Sequence, residues 1–332
     1  MVSWFCQDNI HIARHEGGNA RKGGFRGRRM ACTLARPIGQ GEQGAMPQAY
    51  RRQFRVRIYE CDAYGHVNNA NYLRYMQQAA AEASADVGFD PARYEALGTL
   101  WLIRETGIEY LRPVLPEQLL EVRTWVADFR RVVSRRRYAM SVEGQPVAEA
   151  YTDWVYVDRA TQRPARIPPE MALAFMPEGG SGEAIERVPL EAPGPPPEAV
   201  CIVHRVEWGD LDSAGHVNNA VYLNLLEESG IRAGEAVGWG MDQLRAHGVA
   251  VIARSHRIQY LLPALHGDEV EITTWLSNLR RVSALRHYVL RRRGDDAVLA
   301  RAVTKVATLK RDDMTPLVMP ERMRQAFLPQ TS

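Results

Sequence analysis

The chain has 332 residues, of which 45% are hydrophobic and 24% are charged, and its formal net charge is +3. That length allows about two domains, and the composition is typical of a globular protein with a sizeable core. The sequence contains no uninterrupted apolar run of roughly 18 residues, so we expect no membrane span. The weak net charge gives no reason to expect a nucleic-acid partner.

The N-terminal part differs in composition from the rest of the chain. Its first 45 residues hold seven Arg or Lys against three acids, are rich in Gly and show no sustained hydrophobic period. We therefore predict that residues 1–48 form a disordered basic tail. A dispensable leader upstream of Met46 is the favoured interpretation, with a basic surface-binding arm or an Arg-rich transit peptide as alternatives. No apolar segment of a secretory signal follows the early charges, and we expect a cytoplasmic protein.

The first structured segment combines a strand, a polar motif and a helix. Alternating apolar and polar residues predict a strand that starts at Gln53 and runs directly into the motif. Beyond the motif, apolar residues three or four positions apart from Tyr72 to Val87 predict a long helix. Four strands and a short helix are predicted to follow, at 101–111, 119–126, 134–142, 147–157 and 169–175. Since no helix separates the four strands, the sheet should be largely antiparallel.

The same order of elements then begins again. Residues 176–199 are rich in Gly, Ser and Pro and predict a linker. Later segments recur at a separation of about 150 residues, so the chain holds two copies of one fold, predicted at 49–175 and 200–332. A single copy would leave open sheet edges. We therefore expect the copies to pair edge to edge as an intramolecular pseudo-dimer, which leaves room for a further homo-oligomer of pseudo-dimers.

The polar motif appears in both copies, as Asp-Ala-Tyr-Gly-His-Val-Asn-Asn at 62–69 and Asp-Ser-Ala-Gly-His-Val-Asn-Asn at 212–219. Its Gly permits a tight turn with positive φ, and its Asn residues are good helix caps. The helix N terminus can hold a developing oxyanion, while the Asp, ionised at neutral pH, can act as a nucleophile or as a base that activates water. Alternatively, the Asp only caps the turn and the His and Asn residues brace it. The candidate site residues are Asp62, Gly65, His66 and Asn69, with Asp212, Gly215, His216 and Asn219.

These residues resemble those of hotdog-fold acyl-CoA thioesterases of the 4-hydroxybenzoyl-CoA thioesterase type. The resemblance covers the turn, the long helix and the later Tyr-x-x-Pro and Arg-Arg segments of both copies. It implies an α+β fold of two hotdog domains in tandem, each a curved, five-stranded antiparallel sheet wrapped round one long helix. It also implies acyl-CoA sites between the two hotdogs, with the catalytic Asp at Asp62 and Asp212 and the oxyanion-binding N–H at Asn69 and Asn219.

The resemblance implies hydrolysis of acyl-CoA thioesters to free acid and CoA, without metal or organic cofactor. Basic residues are needed to bind the CoA phosphates, and the candidates are Arg130, Arg131, Arg280 and Arg281. Plant acyl-ACP thioesterases carry a similar turn with an inner Asn, but Tyr64 and Ala214 occupy that position here, which makes acyl-ACP the weaker expectation. A non-catalytic acyl-CoA or acyl-ACP binding protein, or a purely structural one, is the alternative from another class. Cys61, beside Asp62, is replaced by Leu211 in the second copy and is interpreted as an incidental apolar residue.

Overall fold

The computed structural model describes residues 48–178, 182, 185–191 and 193–327. The predicted basic tail therefore lies outside the described residues except for its last position, and so do parts of the predicted linker. The strands of the first repeat are β1 (Tyr50–Arg55), β2 (Thr99–Tyr110), β3 (Leu119–Phe129), β4 (Val133–Val142) and β5 (Gln145–Asp158). Those of the second repeat are β6 (Val200–Arg205), β7 (Val249–Tyr260), β8 (Glu269–Ser277), β9 (Ser283–Arg292) and β10 (Val298–Lys310).

The helices follow the same duplication. They are α1 (Asn69–Asp86), α2 (Pro91–Ala96), α3 (Pro169–Phe175), α4 (Asn219–Ala236), α5 (Met241–Ala246) and α6 (Glu321–Ala326). The two long helices, α1 and α4, begin inside the polar motif, as predicted. None of the helices in the described part of the chain is both long and apolar enough to cross a membrane.

The ten strands of the described residues form one antiparallel sheet. Its order is β1-β3-β4-β5-β2-β7-β10-β9-β8-β6, so each repeat contributes five neighbouring strands. The repeats meet where β2 pairs with β7, with Thr106 opposite Ile258 and Ile108 opposite His256. This pairing removes one open edge from each repeat, and it confirms the predicted α+β fold and edge-to-edge pseudo-dimer.

Each long helix packs its apolar face on its own half of the sheet and also contacts the other helix. In α1 the buried side chains include Tyr72, Tyr75, Met76 and Ala79, which are spaced three or four residues apart as the sequence predicts. Residues from both repeats form one continuous core beneath the two helices. Because α1 and α4 touch, a side chain on either helix can reach the motif of the other repeat.

The first strand of each repeat ends earlier than predicted, so the prediction is wrong for the residues that lead into the motif. β1 ends at Arg55, and Ile58–Glu60 forms a 3-10 turn in which Ile58 is 77% exposed rather than buried. The Glu60 carboxylate explains the turn, because it accepts hydrogen bonds from the Arg57 N–H (2.7 Å) and the Tyr75 hydroxyl (2.7 Å). Such side-chain bonds to the backbone compete with a strand ladder. The second repeat turns in the same way at Trp208–Asp210.

The helix α2 was not predicted from the sequence. Pro91 occupies the first turn of α2, where a proline is well tolerated. The side chain of Asp90 caps this short helix by accepting a hydrogen bond from the Arg93 N–H (2.8 Å).

Ion pairs attach the segment between the repeats to the first repeat. Arg187 donates to both carboxylate oxygens of the buried Asp128, at 2.7 and 2.9 Å, and also lies 3.4 Å from a carboxylate oxygen of Asp153. This part of the predicted linker therefore packs on the sheet, although its composition predicts slack.

A buried ion pair joins the two repeats across the strand pair β2 and β7. The Glu105 carboxylate accepts hydrogen bonds from Arg257 Nε (2.8 Å) and Nη2 (3.0 Å), and from the Tyr151 hydroxyl (2.7 Å). The Glu105 side chain is 8% exposed and that of Arg257 is 25% exposed. Loss of one member of such a pair leaves a poorly solvated charge behind.

We expect Glu105→Ala to lower the free energy of unfolding by about 3 kcal/mol, because it leaves Arg257 half-buried without its carboxylate. Urea denaturation followed by circular dichroism would measure the change. Glu228→Ala is the matched control, since the Glu228–Arg232 pair is 53% exposed on both sides and should contribute less than about 1 kcal/mol. Equal effects of the two substitutions would contradict the importance of the buried pair.

Candidate active site

The motif of the first repeat is a tight turn that ends at the N terminus of α1. Gly65 has φ +80°, a conformation that other residues rarely adopt. The Asp62 N–H donates to the His66 carbonyl (2.7 Å), and Asp62 Oδ1 accepts from the N–H groups of Tyr64 (2.8 Å) and His66 (3.3 Å). Asp62 thus braces the turn through one carboxylate oxygen, and neither of these bonds uses Oδ2.

The start of α1 is capped by the next part of the motif. The Asn68 side chain accepts a hydrogen bond from the Ala70 N–H (2.9 Å) and so occupies the N-cap position. Asn69 is the first residue of the helix, and its N–H therefore lacks a carbonyl partner within the helix. This N–H, the positive end of the helix dipole and the half-buried Asp62 belong to one turn.

A carboxylate from the other repeat completes this site. Glu227, on α4, accepts hydrogen bonds from Asn68 Nδ2 (2.8 Å) and Asn69 Nδ2 (2.6 Å). Burial raises the pKa of Glu227, the two Asn donors oppose this shift, and Asp62 adds to it. Sequence analysis did not identify Glu227. The sequence did contain one indication of its role. Glu227 occupies the position equivalent to Gln77 of the first repeat, and the two residues differ in charge.

A cavity of about 550 Å³ lies beside this site, within the range typical of small-molecule sites. Its walls include Asp62, His66, Asn69 and Glu227, and they continue along apolar residues of the second repeat. The cavity therefore connects the motif of the first repeat with the interior of the second.

Two buried polar groups in the cavity wall lack hydrogen-bond partners among the described residues, namely the Tyr110 hydroxyl and His256 Nε2. The other ring nitrogen of His256 lies 2.8 Å from the Thr304 hydroxyl. Burial lowers the pKa of His256 to about 3, so the ring is neutral at physiological pH. Buried polar atoms normally have a partner, and a bound ligand or water in the cavity would supply one.

The motif of the second repeat has the same backbone design. Gly215 has φ +78°, Asp212 Oδ1 accepts from the Ala214 N–H (2.9 Å), and the Asn218 side chain caps α4 by accepting from the Ala220 N–H (2.9 Å). Its cross-repeat partner differs, because Asn218 Nδ2 donates to Gln77 Oε1 at 3.3 Å. Asn219 is the first residue of α4.

The arginines proposed for CoA binding lie at hairpin connections. Arg130 and Arg131 follow β3, Arg280 and Arg281 follow β8, and none of the four belongs to the cavity wall as described. Arg130 lies 3.3 Å from an Asp128 carboxylate oxygen. By contrast, Arg112 and Arg254 do line the cavity.

Arg254 owes its place to a β-bulge. Ala253 and Ser255 pair with successive residues of β10, so Arg254 is the extra residue of β7. Such bulges redirect side chains and are common beside active sites. Arg104 is the extra residue of β2 in the same way, and it is exposed.

Cys61 directly precedes Asp62 in the motif of the first repeat. Burial, with the nearby Asp62 charge, raises the pKa of the Cys61 thiol, which makes it a weaker nucleophile at neutral pH. No group of three His, Cys, Asp or Glu side chains in the described ranges is arranged to hold a metal ion.

This fold and this strand-to-helix turn define a hotdog-type protein, and comparison with known proteins agrees. Residues 56–175 and 206–327 each match the Thioesterase-like superfamily, so the chain belongs to that family. A 12:0-ACP thioesterase from Umbellularia californica has the same tandem fold, with a TM-score of 0.63 and 18% identity over 78% of this chain and 96% of that one. The hotdog assignment made from the sequence is thereby confirmed.

Two curated relatives differ in the carrier that their names give. The long-chain acyl-CoA thioesterase FadM of Escherichia coli is 28% identical over 114 residues, which is 33% of this chain and 85% of the relative. A chloroplastic acyl-(acyl-carrier-protein) hydrolase of Cuphea viscosissima is 24% identical over 209 residues, 59% of this chain. The match covers only 50% of the plant protein's length. Thioester hydrolysis is common to both names.

The raised pKa of Glu227 predicts a specific pH dependence of stability. The folded protein holds the Glu227 proton more tightly than the unfolded chain does, so this group stabilises the fold below its ordinary pKa of about 4.3 and loses that contribution as the pH rises through the raised value. Relative to Glu227→Gln, the wild-type free energy of unfolding should fall as the pH increases from about 4 to 8. Chemical denaturation at several pH values would measure this difference.

A constant or rising wild-type stability relative to Glu227→Gln would contradict the raised pKa.

Proposed function

We propose that the protein hydrolyses acyl-CoA thioesters to a free acid and CoA. One observation carries the proposal: the Asp62 carboxylate and the N terminus of α1 line the same cavity of about 550 Å³. A carboxylate and an unpaired backbone N–H at one cavity wall are what acyl transfer to water requires. Family membership agrees with thioester hydrolysis.

The reaction needs a site for the developing oxyanion. The thioester carbonyl would accept a hydrogen bond from the Asn69 N–H at the positive end of α1, where negative charge on the oxygen is stabilised. Glu227 holds the Asn68 and Asn69 side chains and so acts as a positioning residue for this end of the helix.

Asp62 can serve in either of two ways. As a general base it takes a proton from water, the water oxygen bonds to the carbonyl carbon, and the C–S bond breaks to release a thiolate that regains the proton. As a nucleophile it forms a mixed anhydride as the thiolate leaves, and water then hydrolyses the anhydride. Both routes need an ionised Asp62 and consume one water per thioester.

Two features favour CoA over acyl-carrier protein as the carrier. The inner Asn of the plant-type turn is replaced by Tyr64 and Ala214. In addition, Arg112 and Arg254 line the cavity, where guanidinium groups suit phosphate binding. Arg130, Arg131, Arg280 and Arg281 stay as predicted contacts for the more distant CoA phosphates.

The purified full chain should release free CoA from a panel of short, long, branched and aromatic acyl-CoAs, measured with a thiol reagent. The double variant Asp62→Asn with Asp212→Asn should lose about 100-fold or more of kcat/KM, which is the usual range for loss of a catalytic base. Asn keeps the Oδ1 acceptor that braces each turn, so the fold should survive, as circular dichroism would show.

Full activity in the double variant would overturn the role of the motif Asp. Release of thiol from acyl-ACP at a higher kcat/KM than from every acyl-CoA would overturn the choice of carrier. An absence of hydrolysis with both carriers would refute the enzymatic proposal and favour a binding protein.

A further inference from the structure

We infer that only the site at Asp62 works in this pseudo-dimer, and that it receives an extended, mainly apolar acyl chain in the interior of the second repeat. The motif at Asp212 then serves the fold and not the reaction. This inference rests on the proposed function and goes further, because it assigns the one working site, the wall of its acyl pocket and the class of acyl group.

The first line of evidence is the cavity beside each motif. The cavity of about 550 Å³ includes Asp62, His66 and Asn69 in its wall. Its counterpart in the first repeat has about 270 Å³ and includes none of the residues 212–223 among its lining. Among the described residues, the motif at Asp62 thus lines the larger cavity, and neither of these two cavities reaches residues 212–223.

The second line of evidence is the side chains that make the difference. The sheet register matches Trp101 with Val251 and Trp154 with Val306, because Trp154 lies opposite Ile103 just as Val306 lies opposite Ala253. Large aromatic residues in the first repeat are thus replaced by valine in the second. Two further aromatic residues of the first repeat are replaced by smaller residues in the second: Leu244 occupies the position of Tyr94, and Thr308 occupies that of Tyr156.

The aromatic residues of the first repeat form a bonded cluster. The rings of Trp101 and Tyr156 lie 4.9 Å apart, Trp101 Nε1 donates to the Tyr94 hydroxyl (3.1 Å), and that hydroxyl lies 2.8 Å from the Ser84 hydroxyl. Their polar atoms are satisfied within the cluster. These large side chains narrow the interior of the first repeat, whose cavity of about 270 Å³ is smaller than the one of about 550 Å³ in the second repeat.

Trp154 lies between the cavity of the first repeat and the Asp212 motif. It lines both the 270 Å³ cavity and a void of about 10 Å³ beside Asn219, as does Gln77. Its indole N–H donates to the Thr152 hydroxyl (2.5 Å), which fixes the ring. An acyl chain that entered at Asn219 would meet this ring, whereas one that enters at Asn69 meets Val306.

The third line of evidence is the polar contacts across the repeats. Glu227 accepts from both Asn residues of the first motif, at 2.8 and 2.6 Å, whereas Gln77 makes a single 3.3 Å contact with the second. The Tyr260 hydroxyl donates to the Asn219 carbonyl (3.2 Å), but its counterpart, the Tyr110 hydroxyl, has no partner among the described residues. The tyrosine hydroxyl at the first site is therefore available to a ligand, whereas the equivalent hydroxyl at the second site is hydrogen-bonded within the protein.

The wall of the open cavity indicates the class of acyl group. Beyond the motif it is formed mainly by apolar side chains of the second repeat, among them Trp239, Leu244, Val251, Met319 and Met323. Met side chains adapt to irregular apolar ligands. Binding to such a wall becomes more favourable in free energy with each methylene that is buried, and an acetyl group buries little. An extended acyl chain therefore fits this cavity best.

The first experiment compares single variants of the full chain under kcat/KM assay. Asp62→Asn should lose about 100-fold or more, and Asp212→Asn should stay within about twofold of wild type. Similar losses for the two variants, or a larger loss for Asp212→Asn, would overturn the inference while leaving the proposed hydrolysis intact.

The second experiment fills the pocket with the residue of the other repeat. Val251→Trp should lower kcat/KM for long-chain acyl-CoA by about 10-fold or more and should affect acetyl-CoA much less, because the added ring takes up cavity volume that an extended chain needs and an acetyl group does not. The matched control Trp101→Val changes the equivalent position of the closed half and should leave the acyl-chain preference unchanged. Leu244→Tyr provides a second filling variant if Val251→Trp does not fold, as judged by circular dichroism.

A binding measurement separates this inference from the proposed function. Isothermal titration with a non-hydrolysable acyl-CoA thioether should give one site per chain, lost in Val251→Trp and kept in Trp101→Val, even if no thioester is hydrolysed. Two sites per chain, no binding, or loss in Trp101→Val alone would overturn the inference.

Discussion

The pairing of β2 with β7 is the constraint on which the rest of the structure depends. It joins two five-stranded sheets into one, so that neither repeat exposes that edge. It also brings α1 and α4 into contact, and only because of that contact can Glu227 of one repeat hold Asn68 of the other. The Glu105–Arg257 pair lies at the same junction, so cohesion of the sheet and assembly of the site have a common origin.

The sequence predicted the parts of the fold that depend on local periodicity. Alternation marked the long strands, and apolar spacing of three or four residues marked α1, while the repeated motif located both turns. It failed where a single side chain overrides periodicity. The Glu60 carboxylate draws the chain into a 3-10 turn at a point where Val56 and Ile58 still alternate as in a strand. Asp210 does the same in the second repeat.

The candidate site shows the same division between local and tertiary information. Asp62, Gly65 and Asn69 are close in sequence, and their types suffice to predict a turn that leads into a helix N terminus. Glu227 is more than 150 positions away from them, and its contact with Asn69 exists only after the repeats pair. The cavity is a property of packing as well, since it arises from small side chains on strands that are distant in sequence. Residue types alone therefore identified the motif but not the wall that faces it.

Covalent linkage of two repeats permits an asymmetry that a symmetric homodimer cannot have. In a homodimer each residue occurs at both sites, so a tryptophan that filled one acyl pocket would fill the other. In the arrangement that we propose, the working site takes its motif from the first repeat and its pocket from the second. The first repeat can then carry Trp101, Trp154 and Tyr156 in its interior, where large aromatic side chains bury apolar area and stabilise the core.

The second motif has a clear structural role. Asp212 braces its turn, Gly215 supplies the positive φ, and Asn218 caps α4, and each of these would be costly to lose. α4 in turn carries Glu227. A motif that the cavity of about 550 Å³ does not reach thus still orients the helix that completes the other site.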